Sequence, residues 1–121
     1  MIPTAQLVAM VGGERMANPR LRRVIMHAVV RKYTASPDVI TEARPKLSHL
    51  EQTMRGTPGF VAYYFLETDD GVATITITED ESGTTESMSR AATWVQQNLD
   101  SRASMGAPEV TTGQVLLNVT R

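Results

Sequence analysis

The sequence predicts an α+β domain in which two helices cover one face of a four-stranded antiparallel sheet, and three observations predict it. Four segments rich in β-branched and aromatic residues alternate with two amphipathic segments in the order β-α-β-β-α-β. The middle two strands are separated only by a turn centred on Asp70-Gly71, which makes them antiparallel neighbours. Strands one and two are apolar on both faces, more than two helices on one side can cover.

Taken in chain order, residues 1–22 stand apart as an N-terminal extension and 23–121 form the domain. The extension carries "AQLVAMVGG", which has no preceding basic residue and is too short to span a bilayer. It reads as a short helix over 4–11 ended by Gly12 and Gly13, or as a loose extension. A cytoplasmic protein is the default expectation. Strand one is "RRVIMHAVVRKY", Arg22 to Tyr33. Helix one follows: Ser36 suits the N-cap, Pro37 the first helical position and Asp38 the positive end of the dipole, with Ile40, Ala43, Leu47, Leu50 and Met54 at helical spacing. Pro45 inside it removes a backbone bond and predicts a kink near Thr41 to Arg44, and Gly56 closes the helix.

Strands two and three are Phe60 to Thr68 and Val72 to Glu79, joined by the Asp70-Gly71 pair, whose residue types suit positive φ. Helix two spans Ser82 to about Ala103, with Met88, Ala91, Ala92, Val95 and Leu99 on one stripe and Glu86 and Arg90 placed for an i,i+4 pair outside. The last strand is "EVTTGQVLLNVT", where Gly113 marks a candidate bulge.

This order is the split arrangement called ferredoxin-like. Strand two offers Phe60, Ala62, Tyr64 and Leu66 to one side and Val61, Tyr63 and Phe65 to the other. Strand one sets Val24, Met26, Ala28 and Val30 against Ile25, His27, Val29 and Arg31. In strands three and four the apolar set is Ile75, Ile77, Val115, Leu117 and Val119, and the alternates are mostly threonine, glutamine and asparagine, so the free face reads as mixed. Covering several hundred square ångströms of it at roughly 25 cal/mol per Å² contributes on the order of ten kcal/mol before association costs, which points to a sheet-to-sheet homodimer, the alternative being that the N-terminal segment folds over this face within one chain.

Composition removes several function classes. The 121 residues contain no cysteine, so disulfides and thiolate chemistry are excluded, and two histidines leave no multi-histidine metal centre in one subunit. Twelve basic residues against thirteen acidic ones, well dispersed, give no electrostatic footprint for nucleic acid or an anionic membrane. Strand three, "GVATITIT", carries none of the aromatics on which RNA-recognition modules of the same strand order stack bases. Glycine-rich phosphate loops, nucleophile elbows and HExxH are all missing.

The run "PGFVAYYFLETDDGVATITITED", Pro58 to Asp80, preceded by a capped helix and followed by a helix with a central tryptophan, resembles the antibiotic biosynthesis monooxygenase-like domains of the dimeric α+β barrel superfamily. The resemblance covers about Arg23 to Thr120. It implies a homodimer whose sheets face each other, with a small pocket in each subunit between sheet and helices. Members include cofactor-independent oxygenases acting on polycyclic phenols or quinols, haem-degrading enzymes and proteins of no assigned activity. The haem-degrading branch uses a strand-one Asn, a helix-two Trp and a helix-two His. Trp94 matches the tryptophan, but strand one has no Asn and Ser82 to Ser104 contains no His, so haem degradation is disfavoured and neither cofactor nor metal is expected.

The candidate pocket residues are His27, Tyr63, Phe65, Thr76, Met88 and Trp94, with His27 the best candidate for a catalytic acid or base. Each has a structural alternative: His27 and the tyrosines as packed, hydrogen-bonded residues, Trp94 as core. Tyr63 and Tyr64 point to opposite faces, so only one can line a given cavity. His49 reads as a solvated residue on the polar side of helix one. Two functions fit: a cofactor-independent monooxygenase acting on an aromatic or quinol-like molecule, and a non-catalytic dimeric binding or interaction protein of the same fold.

Overall fold

The computed structural model describes residues 25–121; the expected extension over 1–22 and its helix over 4–11 lie outside the described residues. The elements are β1 (His27–Thr34), α1 (Pro37–Ala43), a 3-10 turn (Arg44–Lys46), α2 (Leu47–Arg55), β2 (Phe60–Thr68), β3 (Gly71–Thr78), α3 (Glu81–Asn98), a second 3-10 turn (Asp100–Ser104) and β4 (Glu109–Gln114). The strands lie in the order β2-β3-β1-β4, every neighbouring pair antiparallel, with the helices on one face. The ferredoxin-like expectation holds.

Helix one is broken rather than merely kinked. Pro45 has no N–H to offer Thr41, so the chain tightens into a 3-10 turn before α2 resumes. Both halves still aim at the sheet: Val39, Ala43, Leu50 and Met54 join Val72, Ala91, Trp94 and Leu99 in one buried cluster. The second helix begins where Asp80 caps it, its Oδ1 accepting from the Gly83 N–H at 3.0 Å and the Ser82 hydroxyl at 2.7 Å. At Gly83 a Cβ would lie 2.7 Å from the Pro58 carbonyl oxygen and 2.8 Å from Thr78 Cβ, so the helix sits directly on the sheet there. Only small residues fit so close, and the buried stripe of α3 is therefore Gly83, Thr84, Ser87, Ala91 and Trp94. The predicted stripe of Met88, Ala91, Ala92, Val95 and Leu99 is rotated from this one.

The sheet reverses the expected sides of strand three. Val29 pairs with Thr76 and Arg31 with Thr74, while Tyr63 and Phe65 pair with the same two threonines from the other side. These rows face the helices, and Thr74, Thr76 and Thr78 are buried. The open face instead carries Ala28 and Val30 from β1, Ala73, Ile75 and Ile77 from β3, and Ala62, Tyr64 and Leu66 from β2. Over these three strands it is apolar apart from Lys32 opposite Ala73, and β4 adds Glu109 and Thr111, so the open face is mixed towards its β1–β4 side. Alternation groups residues by face but does not say which group the helices take, and the tight seat of α3 favours threonine over isoleucine.

Two further differences concern strand ends. The irregularity lies in β2 between Phe60 and Ala62, which turns Val61 outward and lets Phe60 pack on the core, whereas Gly113 pairs regularly with Ala28. The last strand stops at Gln114 instead of running to Thr120. Val115 still donates to the Met26 carbonyl at 2.8 Å, but Leu116 and Leu117 beyond it are 90% and 80% exposed, an apolar arm that touches little of its own chain.

Glu42 ties α1 to the turn after α3. Its carboxylate accepts from the Ser101 hydroxyl at 2.7 Å and from the backbone N–H groups of Ser101 at 2.8 Å and Asp100 at 2.7 Å, with Lys46 at 3.7 Å. The hydroxyl bond and then the two backbone bonds pull its pKa from 4.5 down to about 2. Because the folded value is the lower one, this contribution is present above the unfolded pKa and is lost as pH falls from about 4.5 towards 2. Thermal melts across that window should show the wild type losing more stability than Glu42→Gln; parallel pH profiles would rule the linkage out.

Candidate functional site

A cavity of about 410 Å³ opens between α2 and β2. Leu47, Leu50 and Met54 wall it from the helix, and Phe60, Tyr63 and Phe65 from the strand. Because β2 is an edge strand among the described residues, none of their strands closes that side. At the rim Arg55 Nε binds Glu51 Oε2 at 2.8 Å, so the two rim charges neutralise each other. The size and apolar walls suit a small aromatic molecule.

Both tyrosines border the cavity, because it wraps round an edge strand, against the expectation that only one could: Tyr63 turns under the helices, while Tyr64 faces the open side and is 52% exposed. Burial pushes the Tyr63 phenol well above its ordinary value; the Arg31 cation opposes this and Tyr33 adds to it. Tyr63 is therefore a protonated donor at working pH. Arg31 itself is only 7% exposed. Its guanidinium donates to the Tyr33 hydroxyl and lies 5.4 Å from the centroid of that ring, and among the described residues no carboxylate comes within ion-pair distance. The sequence offered one signal for it, a lone cation at the end of an otherwise uncharged run of alternates in strand one, and site reasoning passed over it.

Of the sequence-predicted residues, Tyr63 and Phe65 line this cavity, and Thr76 lies beside Tyr63 in the same cross-strand row, fully under the helices. His27 is elsewhere. It is half-buried at the start of β1, opposite Thr78, with Nδ1 3.0 Å from the Thr84 hydroxyl. That hydroxyl gives its proton to the Glu81 carbonyl at 2.9 Å, which leaves Nδ1 as the donor to Thr84. Met88 is half-buried on α3, and neither it nor His27 lines the cavity between α2 and β2. Trp94 is core, 3% exposed, rather than a rim over the sheet. Its indole N–H crosses the helix seam to His49 Nδ1 at 2.9 Å, beside a separate groove between α2 and α3. His49 is exposed as expected but accepts that bond as well as meeting solvent.

Among the described residues there is no group of three or more His, Asp or Glu placed to hold a metal, and no helix is long and apolar enough to cross a membrane.

No protein-family model matches the sequence, and no curated protein matches it either. Solved structures do. A monooxygenase from Streptomyces coelicolor, ActVA-Orf6 in complex with nanaomycin D, is 18% identical, with a TM-score of 0.58 over 86% of this chain and 96% of its own. SnoaB, a cofactor-independent oxygenase from Streptomyces nogalater, is 15% identical, with a TM-score of 0.55 over 82% of this chain and 100% of its own. MhuD, a haem degrader from Mycobacterium tuberculosis with two haems in its active site, is 11% identical, with a TM-score of 0.56 over 78% of this chain and 99% of its own. At these identities the likeness is one of architecture, and the chain has the ferredoxin-like α+β fold of the antibiotic biosynthesis monooxygenase-like proteins.

Proposed function

We propose that the protein is a small homodimeric, cofactor-independent monooxygenase of the cytoplasm that binds an aromatic or quinol-like molecule in the cavity between α2 and β2. The observation that carries this is the cavity itself, apolar on both walls with a protonated phenol turned under the helices, in a fold shared with two oxygenases. In such chemistry the electron-rich anion of the substrate reduces dioxygen. The protein need supply only a dry chamber, orientation and a hydrogen bond to the developing oxyanion.

A second reading, a non-catalytic small-molecule-binding protein of the same fold, is supported by one feature of the cavity. Among the described residues no free base lines it: Glu51 is tied to Arg55, Tyr63 holds its proton, and His27 stands apart. Fold alone does not choose between the two.

Oxygen uptake and product formation across a panel of phenols and quinols, with and without added haem, separate them. Turnover above background without haem is the expected result. Saturable binding with no turnover would leave the second reading, and neither binding nor turnover would remove both. Once turnover is found, full activity in folded His27→Ala would take that histidine out of the mechanism.

A further inference from the structure

We propose that residues 1–11 of this same chain lie across the open side of the cavity between α2 and β2, their apolar side chains against its lip, so that a ligand enters only by displacing them. This goes beyond the reading above and holds whether or not the cavity is catalytic.

The strand side of the cavity calls for a cover. Among the described residues β2 pairs with β3 alone, so its outer edge offers unpaired backbone groups to whatever lies beside it. Along that edge Val61, Tyr64 and Leu66 are 41%, 52% and 42% exposed. Single exposed apolar residues are ordinary, but three on one edge strand beside an apolar cavity mark a surface that takes a partner. The two charged side chains of the lining, Glu51 and Arg55, are bound to each other at 2.8 Å, which favours an occupant without charge.

The chain carries such an occupant. Met1 to Gly13 contains no charged residue, with Leu7, Val8, Met10 and Val11 apolar, and the charges begin only at Glu14 and Arg15. Leaving these side chains in water is unfavourable in proportion to their apolar area, and the lip supplies a matching surface.

The tether reaches. The described residues begin at Ile25, two before His27, and His27, Thr78 and Phe60 form one row across the sheet. The chain therefore enters β1 at the end of the sheet where β2 begins and α2 finishes with Met54 and Arg55. Only β3 separates β1 from β2, a distance of about 10 Å at two strand spacings. Residues 12–24, between Val11 and Ile25, span up to about 40 Å when extended. A segment tethered so is presented at an effective concentration of about millimolar, well above that of a second copy in dilute solution. The open face of the sheet is the poorer seat, because Lys32, Glu109 and Thr111 make it mixed towards β4.

The chain has no cysteine, so an introduced pair is the only source of a disulfide. In the full chain, Val8→Cys with Val61→Cys should oxidise to an intramolecular link at least about tenfold faster than either of two comparison pairs, at a rate independent of protein concentration. The comparison pairs join Val8→Cys to Asp69→Cys, exposed at the far end of the hairpin, and to Ile75→Cys, at the centre of the open face. The neutral dye N-phenyl-1-naphthylamine reads the cover itself. Leu7→Asp with Met10→Asp should bind it about tenfold tighter than the wild type, and the oxidised Val8→Cys, Val61→Cys protein about tenfold more weakly than after reduction. Circular dichroism checks that each variant is folded; if Val61→Cys is not, Tyr64→Cys, on the same strand, takes its place. The proposal is overturned if the Val61 pair links no faster than the other two, if it links only between chains, which would make the occupant a second copy, or if the dye binds the wild type and the aspartate variant alike. Turnover by a chain whose cavity lacks this cover would remove only this proposal; a covered cavity without turnover would remove only the oxygenase reading.

Discussion

Gly71→Ala is expected to destabilise the domain by about 3 kcal/mol, read as a lower midpoint of denaturant unfolding at unchanged slope. The cause is space. A Cβ at position 71 would lie 2.0 Å from the Tyr33 carbonyl oxygen, 2.8 Å from the Ala35 nitrogen and 3.0 Å from Thr34 Cα. All three are backbone atoms of the end of β1 and the residue after it, so no side-chain rotation relieves the clash. Pushing β1 away would strain the bond from the Ala35 N–H to the Asp70 carbonyl, 3.0 Å, and the row in which Tyr33 faces Val72. From the sequence Gly71 reads as a turn residue chosen for positive φ, yet among the described glycines φ is positive only at Gly59, at 72°. A variant with the wild-type midpoint would show that the strand end yields without cost.

Ile75→Asp is expected to convert a dimer into a folded monomer. Ile75 stands at the centre of the open face, between Val30 on β1 and Tyr64 on β2, with Ala28, Ile77 and Ala62 in one flanking row and Lys32, Ala73 and Leu66 in the other. Helices cover the other side of the sheet, so an apolar surface of this extent calls for a partner, and a second copy offers the same surface in return. A carboxylate buried at the centre of such a contact without a counter-charge costs several kcal/mol, which raises the dissociation constant about a hundredfold or more. In an isolated subunit the same residue is only half-buried, so circular dichroism should show the fold kept. Sedimentation at micromolar concentration is the measurement. A wild type that already sediments as a monomer would sink the homodimer.

The site was legible in the sequence only in part, and the residues show why. Tyr63 and Phe65 could be grouped because strand alternation is local, and they share a cavity wall. His27 and Trp94 were attractive for their chemistry, but their surroundings depend on where the helices cross the sheet. The seat of α3 at Gly83 and Thr84 draws His27 into a hydrogen bond, and the seam between α2 and α3 takes the indole to His49. Arg31 was visible as a charge in strand one. That no counter-ion lies beside it among the described residues became visible only when the strands were laid side by side.

The sequence by itself determined the order of elements, the hairpin, a distortion of helix one at Pro45 and the excess of apolar strand surface, because each follows from spacing or from the covalent limits of single residues. Tertiary structure alone decided which face of β3 the helices take, that β4 stops at Gln114, and that Arg31 lies near Tyr63 while His27 does not reach the cavity wall. Those outcomes depend on the separation of packed layers and on register between strands distant in sequence, which local periodicity does not encode.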